Sequence, residues 1–202
     1  SGMIVVTAWS DEMPNWQYGY EIFDMGSSLA VQLRIHLVGG LQDIDIWENG
    51  QWQAREVRCL DRQEGRKRGI DVAAIVQRWR TTIEDQWSSR YELAEAGAWG
   101  NRTRVFVTMA EYPKSALGVY SICIPDTPVH GRSYARSLNA PRDWPSVFFR
   151  QSLGHTPDQV VAHEAGHLLG YADEYKGAHH IIRIDPGSIM GQRVGDPCCR
   201  HF

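Results

Sequence analysis

The sequence predicts an α+β fold in one domain, on three observations. Apolar residues recur with a period of two through much of the first sixty positions. From Asp71 the spacing changes to three and four, as on one face of a helix. A second helical stretch, near residue 160, carries two histidines four apart with a glycine three residues beyond.

Met3 to Thr7 reads as a first strand, behind Ser1-Gly2, which reads as a scar of tag removal and is set aside. Leu29 to Val38 puts Leu29, Val31, Leu33, Ile35 and Leu37 on one side, the pattern of a half-buried strand that Gly39-Gly40 ends. Asp43 to Trp47 alternates again, and Glu48-Asn49-Gly50 predicts a hairpin turn into Gln51-Trp52. Antiparallel sheet is therefore expected over the first sixty residues. His36 falls on the polar side of its strand, as a surface or hydrogen-bonded histidine rather than a ligand. Arg62 to Arg68, with four basic residues, reads as a solvated loop. Asp71 caps the next helix, whose stripe is Val72, Ile75, Val76, Trp79, Ile83 and Trp87 over about 17 residues. Arg104 to Met109 and Gly118 to Ile124 read as strands, with Tyr134 to Leu138 and Ser146 to Phe149 as shorter ones.

The second helix is signalled by Thr156 and Gln159 at capping-box spacing, Pro157 at the first helical position and Asp158 against the helix dipole. Val160, Val161, Leu168 and Leu169 supply its apolar surface, and Gly170 ends it. His163 and His167 share one face, so both imidazoles can reach one ion, and Glu164 sits beside them as a general base toward a metal-held water. The turn after Gly170 carries Asp173 back as a third ligand, with Glu174 the rival carboxylate one residue on. Three protein ligands leave a fourth position open, the mark of a catalytic rather than a structural zinc site. H-E-x-x-H alone arises by chance in roughly one or two such chains in a hundred; adding Gly170 and Asp173 lowers that to on the order of one in ten thousand.

Downstream, Pro186-Gly187-Ser188-Ile189-Met190-Gly191 marks a tight turn centred on Met190. Together with His163 to Asp173 this resembles the metzincin zinc endopeptidases, whose pattern is H-E-x-x-H-x-x-G-x-x-H followed by a methionine-containing turn. Asp173 stands where most metzincins have histidine, which resembles the snapalysin-type branch. The resemblance implies a twisted mixed sheet packed on a long helix and on the zinc helix, and one catalytic Zn2+ held by His163, His167 and Asp173. It implies Glu164 as catalytic residue and Met190 as support beneath the metal. It also implies an edge strand that pairs with an extended protein or peptide substrate, which we place between Tyr134 and Ser146. Tyr175 is a further transition-state donor to consider, against its reading as a packing tyrosine. The part after the methionine turn is short, which leaves the far side of the cleft open. The alternatives are a zinc-dependent hydrolase of cell-wall peptides or amides, and a zinc-stabilised binding module without hydrolysis.

A formal charge of −3 gives no electrostatic case for nucleic acid, and no apolar run has the length of a membrane span. The apolar run at Met3 to Val6 is too short for a signal peptide: with Met3 as the native start general secretory export is not encoded, and in a longer chain the signal could lie elsewhere. A dedicated bacterial secretion route, as used by toxin and effector metallopeptidases, is an analogy of architecture. An inhibitory or immunity partner is a further expectation, and the sequence does not identify one. Of the four cysteines, Cys198-Cys199 could bridge to Cys59 or Cys123 in an oxidising compartment or stay reduced in a cytosol.

Overall fold

The computed structural model describes residues 3–4, 19–26, 28–88, 92–94, 102–127, 131–136, 144–150, 157–171 and 190. In chain order the strands and helices are β1 (Met3–Ile4), β2 (Tyr20–Asp24), β3 (Ser28–Leu37), β4 (Gly40–Glu48), β5 (Gln51–Cys59), α1 (Arg62–Lys67) and α2 (Val72–Trp87). They continue with β6 (Glu92–Ala94), β7 (Arg102–Glu111), β8 (Tyr120–Cys123), β9 (Ser146–Val147) and α3 (Pro157–Leu169). The α+β class read from the sequence is the class observed.

Strand β3 is the centre of a seven-stranded mixed sheet. It pairs antiparallel with β2 and parallel with β7, and its last residues pair parallel with β8, which runs parallel to β9. The antiparallel sheet expected over the first sixty residues is present in the β1–β2, β2–β3 and β4–β5 pairs, and β3 adds parallel partners from outside that stretch. Alternation reports which face of a strand is buried, not the direction of its partner. The partners β7 and β8 come from beyond residue 100, with α2 in the crossover that parallel pairing requires. The hairpin is as predicted: Asn49 (φ +50°) and Gly50 (φ +81°) both adopt positive φ, the requirement of a type I′ turn, and β4 and β5 form a separate two-stranded sheet. Strand β2 had not been anticipated.

Residues 62–67, read as a loop, are helical. Asp61 is the reason: its carboxylate accepts from the backbone N–H groups of Gln63 (2.8 Å) and Glu64 (2.7 Å), satisfying the first donors of the helix. The basic residues lie on its solvated side, with Lys67 against Glu64 at 2.6 Å. Asp71 caps α2 as expected, accepting from Ala74 N–H at 3.0 Å.

The helices cover one face of the sheet. Leu33, Ile35, Val107, Met109, Tyr120 and Ile122 meet Val72, Val76, Trp79, Ile83 and Trp87 of α2, and Val161, Ala162, Ala165 and Leu168 of α3, in one apolar cluster. A second cluster (Val38, Ile44, Ile46, Cys59, Cys123, Val147 and Phe149) lies under the hairpin, with Val57 and Tyr134 at its border. Cys59 and Cys123 form a disulfide within it, so neither is left to bridge to Cys198 or Cys199, which lie outside the described residues. His36 Nδ1 lies 3.3 Å from the Tyr112 carbonyl, the hydrogen-bonded histidine expected. No described helix is long and apolar enough to cross a membrane.

Candidate metal centre

Helix α3 begins at Pro157, the position read for it, and is tied to α2 by the ion pair of Asp158 with Arg78 (3.0 Å). Its inner side is closely packed: Val161, Ala162, Ala165 and Leu168 are each 1% exposed or less. That fixes the rotation of the helix about its axis, and with it the direction of the histidine face. The His163 and His167 rings lie edge to face with centroids 4.8 Å apart. A tetrahedral ion about 2 Å from one nitrogen of each ring sets ring centres roughly 5 Å apart, close to the spacing seen.

The end of the helix orients the second histidine. Gly170 has φ +104°, its N–H donates to the His167 carbonyl at 3.0 Å, and the Tyr171 N–H donates to the Gly166 carbonyl at 2.9 Å. These two bonds around a left-handed glycine are a Schellman ending. The turn brings the Tyr171 carbonyl 2.8 Å from His167 Nδ1. A carbonyl has no proton to give, so Nδ1 is the donor and the lone pair of the neutral ring is on Nε2. Metal-binding histidines are held in this way, one nitrogen bonded to the protein and the other available.

Glu164 is 5% exposed. Carboxylates reach that depth only where something compensates the lost water, so its place on α3 is not that of a solvated surface charge. Met190 is fully buried and packs its sulfur against Gly166, which lies between the two histidines; Trp87 Cζ2 approaches the same glycine from α2. A Cβ at residue 166 would overlap the Met190 sulfur and sit 2.8 Å from Trp87 Cζ2. Gly166→Ala is therefore expected to destabilise the protein by about 1–3 kcal/mol, although alanine is the better helix former by about 1 kcal/mol. Urea denaturation measures this; a midpoint equal to or above that of the wild type would refute the packing.

Asp173, its rival Glu174, and Tyr175 lie outside the described residues, as do the two tail cysteines. Two of the three anticipated ligands are thus brought together, and among the described residues no group of three His, Cys, Asp or Glu side chains could hold a metal. Of the edge expected between Tyr134 and Ser146, residues 134–136 and 144–146 are described. Tyr134 exchanges both main-chain hydrogen bonds with Val147, antiparallel and at 2.9 Å each. Among the described residues no further strand pairs beyond it. Its phenolic oxygen accepts from Asp45 N–H at 3.2 Å, and burial pushes the phenol's pKa up.

Sequence reading missed Trp87 and Tyr171 as parts of the centre. Trp87 was assigned to the core from helical spacing, and no spacing rule shows which core residue touches a ligand-bearing turn. Comparison of the chain with family models, with curated proteins and with solved structures gives no match.

Proposed function

We propose that the chain is a zinc-dependent endopeptidase of metzincin type. The observation that carries this reading is the tethered pair: two imidazoles at single-ion spacing, one with Nδ1 engaged by the Tyr171 carbonyl and its lone pair on Nε2. The buried carboxylate of Glu164 and the methionine against Gly166 support it, because a solvated helix face calls for neither. His163 and His167 would hold the ion, and Asp173 is the third ligand we assign from the motif.

A zinc ion held there supplies a Lewis acid and an acidified water. Glu164 takes the proton of the attacking water and returns it to the departing amine. The edge at Tyr134 holds an extended peptide by main-chain hydrogen bonds, which makes an unfolded protein segment the natural substrate class.

The test is the metal content of the purified chain together with its cleavage products from a denatured proteome, with and without chelator. One zinc per chain and chelator-sensitive new N-termini are expected. A zinc-loaded chain that cleaves neither proteins nor peptides would leave only a binding role. Cleavage confined to peptidoglycan peptides or single amides would move it to cell-wall hydrolysis. Asp173→Ala is expected to cost more zinc affinity than the about 10–100-fold lost with an outer-shell partner. Should Glu174→Ala do so instead, the third ligand is one residue further on.

A further inference from the structure

Trp87 closes α2 and makes three contacts with α3 and its turn. The indole Nε1–H donates to the Ala162 carbonyl at 2.9 Å. The Cζ2 edge lies against Gly166. The ring stacks on Tyr171, with centroids 5.4 Å apart and planes 10° from parallel. Tyr171 is the residue whose carbonyl accepts from His167 Nδ1. Trp87 is itself held from the sheet: the adjacent Ser88 hydroxyl donates to the Val107 carbonyl at 2.9 Å and accepts from the Val107 N–H at 2.8 Å.

We propose that Trp87 is a positioning residue for this site, clamping the junction of α3 with its turn so that the Tyr171 carbonyl stays on His167 Nδ1. The proposal rests on the zinc reading. A Schellman turn fixes the backbone of Gly170 but leaves the next residue free to swing about its own φ and ψ. A stacked ring spanning from Tyr171 to the helix at Ala162 and Gly166 removes that freedom. Without it, His167 samples rotamers and tautomers in which Nδ1 no longer donates to the Tyr171 carbonyl, and ordering the ring on metal binding then costs affinity.

A structural role alone would destabilise the chain without touching affinity, and the same helix provides the control. Trp79 is also buried, 2% exposed, and packs edge to face on Phe148 at 5.5 Å, away from the turn. Trp87→Phe, Trp79→Phe and Tyr171→Ala are each compared with the wild type. The readouts are chelator competition for zinc and the visible spectrum of the cobalt-substituted protein, at a temperature where circular dichroism shows the metal-free chains folded. Trp87→Phe and Tyr171→Ala are each expected to weaken zinc binding about 10- to 100-fold, and Trp79→Phe less than about twofold. The double variant Trp87→Phe/Tyr171→Ala should lose little more than either single change, because the two rings act as one unit. Equal affinities for Trp87→Phe and Trp79→Phe would overturn the clamp, as would additive losses in the double variant. If Trp87→Phe does not fold, an unchanged affinity in Tyr171→Ala overturns it alone. A wild-type chain that takes up no zinc would instead remove the metal reading on which the clamp depends.

Discussion

Glu164→Ala is expected to leave about one zinc per chain while slowing peptide hydrolysis about 10²–10⁴-fold, the range lost with a general acid–base. That corresponds to about 2.7–5.5 kcal/mol of transition-state stabilisation, nearly all of it in kcat because the group acts on the reacting water rather than on the bound peptide. The expectation comes from position. Glu164 follows His163 by one residue, which turns it about 100° round the helix from that ligand and keeps it out of the histidine pair. It is nonetheless 5% exposed, on a helix whose other buried positions are apolar. Glu164→Gln keeps the size and a hydrogen-bonding oxygen but cannot hold a proton, so it should lose as much rate as the alanine variant. Metal analysis and kcat/KM on one cleaved peptide decide the matter. Loss of zinc together with activity, restored by refilling, would make Glu164 a structural residue. A glutamine variant with near-wild-type kcat would remove proton transfer from its role.

The centre was legible in the sequence because local rules write it. Histidine spacing, a helix-opening proline and a helix-ending glycine act within about fifteen residues, and α3 runs from Pro157 to Leu169 as those signals require. The Asp71 cap, the apolar stripe of α2 and the Asn49-Gly50 turn are local in the same sense. What went unread has two sources, partners distant in sequence and one local cap. Residues 28–37 look the same whether β7 beside them runs parallel or antiparallel. The 62–67 segment was taken for a loop because its charges outweighed one capping aspartate. Trp87 lies 75 residues from the carbonyl it binds, and periodicity could place it only in the core.

The cysteines make the same point and carry the second large effect. Cys59 ends β5, Cys123 ends β8, and both are fully buried in the cluster beneath the hairpin. Their bond closes a loop with a sequence separation of 64, for which the chain-entropy relation gives about 4 kcal/mol. Cys59→Ala/Cys123→Ala is therefore expected to lower the melting temperature by about 8–16 °C, and strong reductant should lower that of the wild type comparably. Non-reducing peptide mapping should recover the two cysteines as one linked species. Free alkylation of both thiols in the native chain, with no change in melting on reduction, would disprove the bond. The loss should fall unevenly on function. The helix that carries the histidine pair packs into the helix-side cluster with Trp87, so zinc affinity should stay within about twofold of the wild type, since distant sites act independently. The hairpin, by contrast, steadies the edge: Asp45 N–H meets the Tyr134 oxygen at 3.2 Å, Asp45 pairs with Arg136 at 2.7 Å, and Trp52 packs edge-on to the Tyr134 ring at 5.4 Å. If that edge holds the peptide, the reduced protein should keep its metal and show a raised KM for long substrates, with kcat for the shortest cleavable peptide little changed. A reduced protein that lost zinc and retained KM would place the ligands, not the edge, under the control of the disulfide.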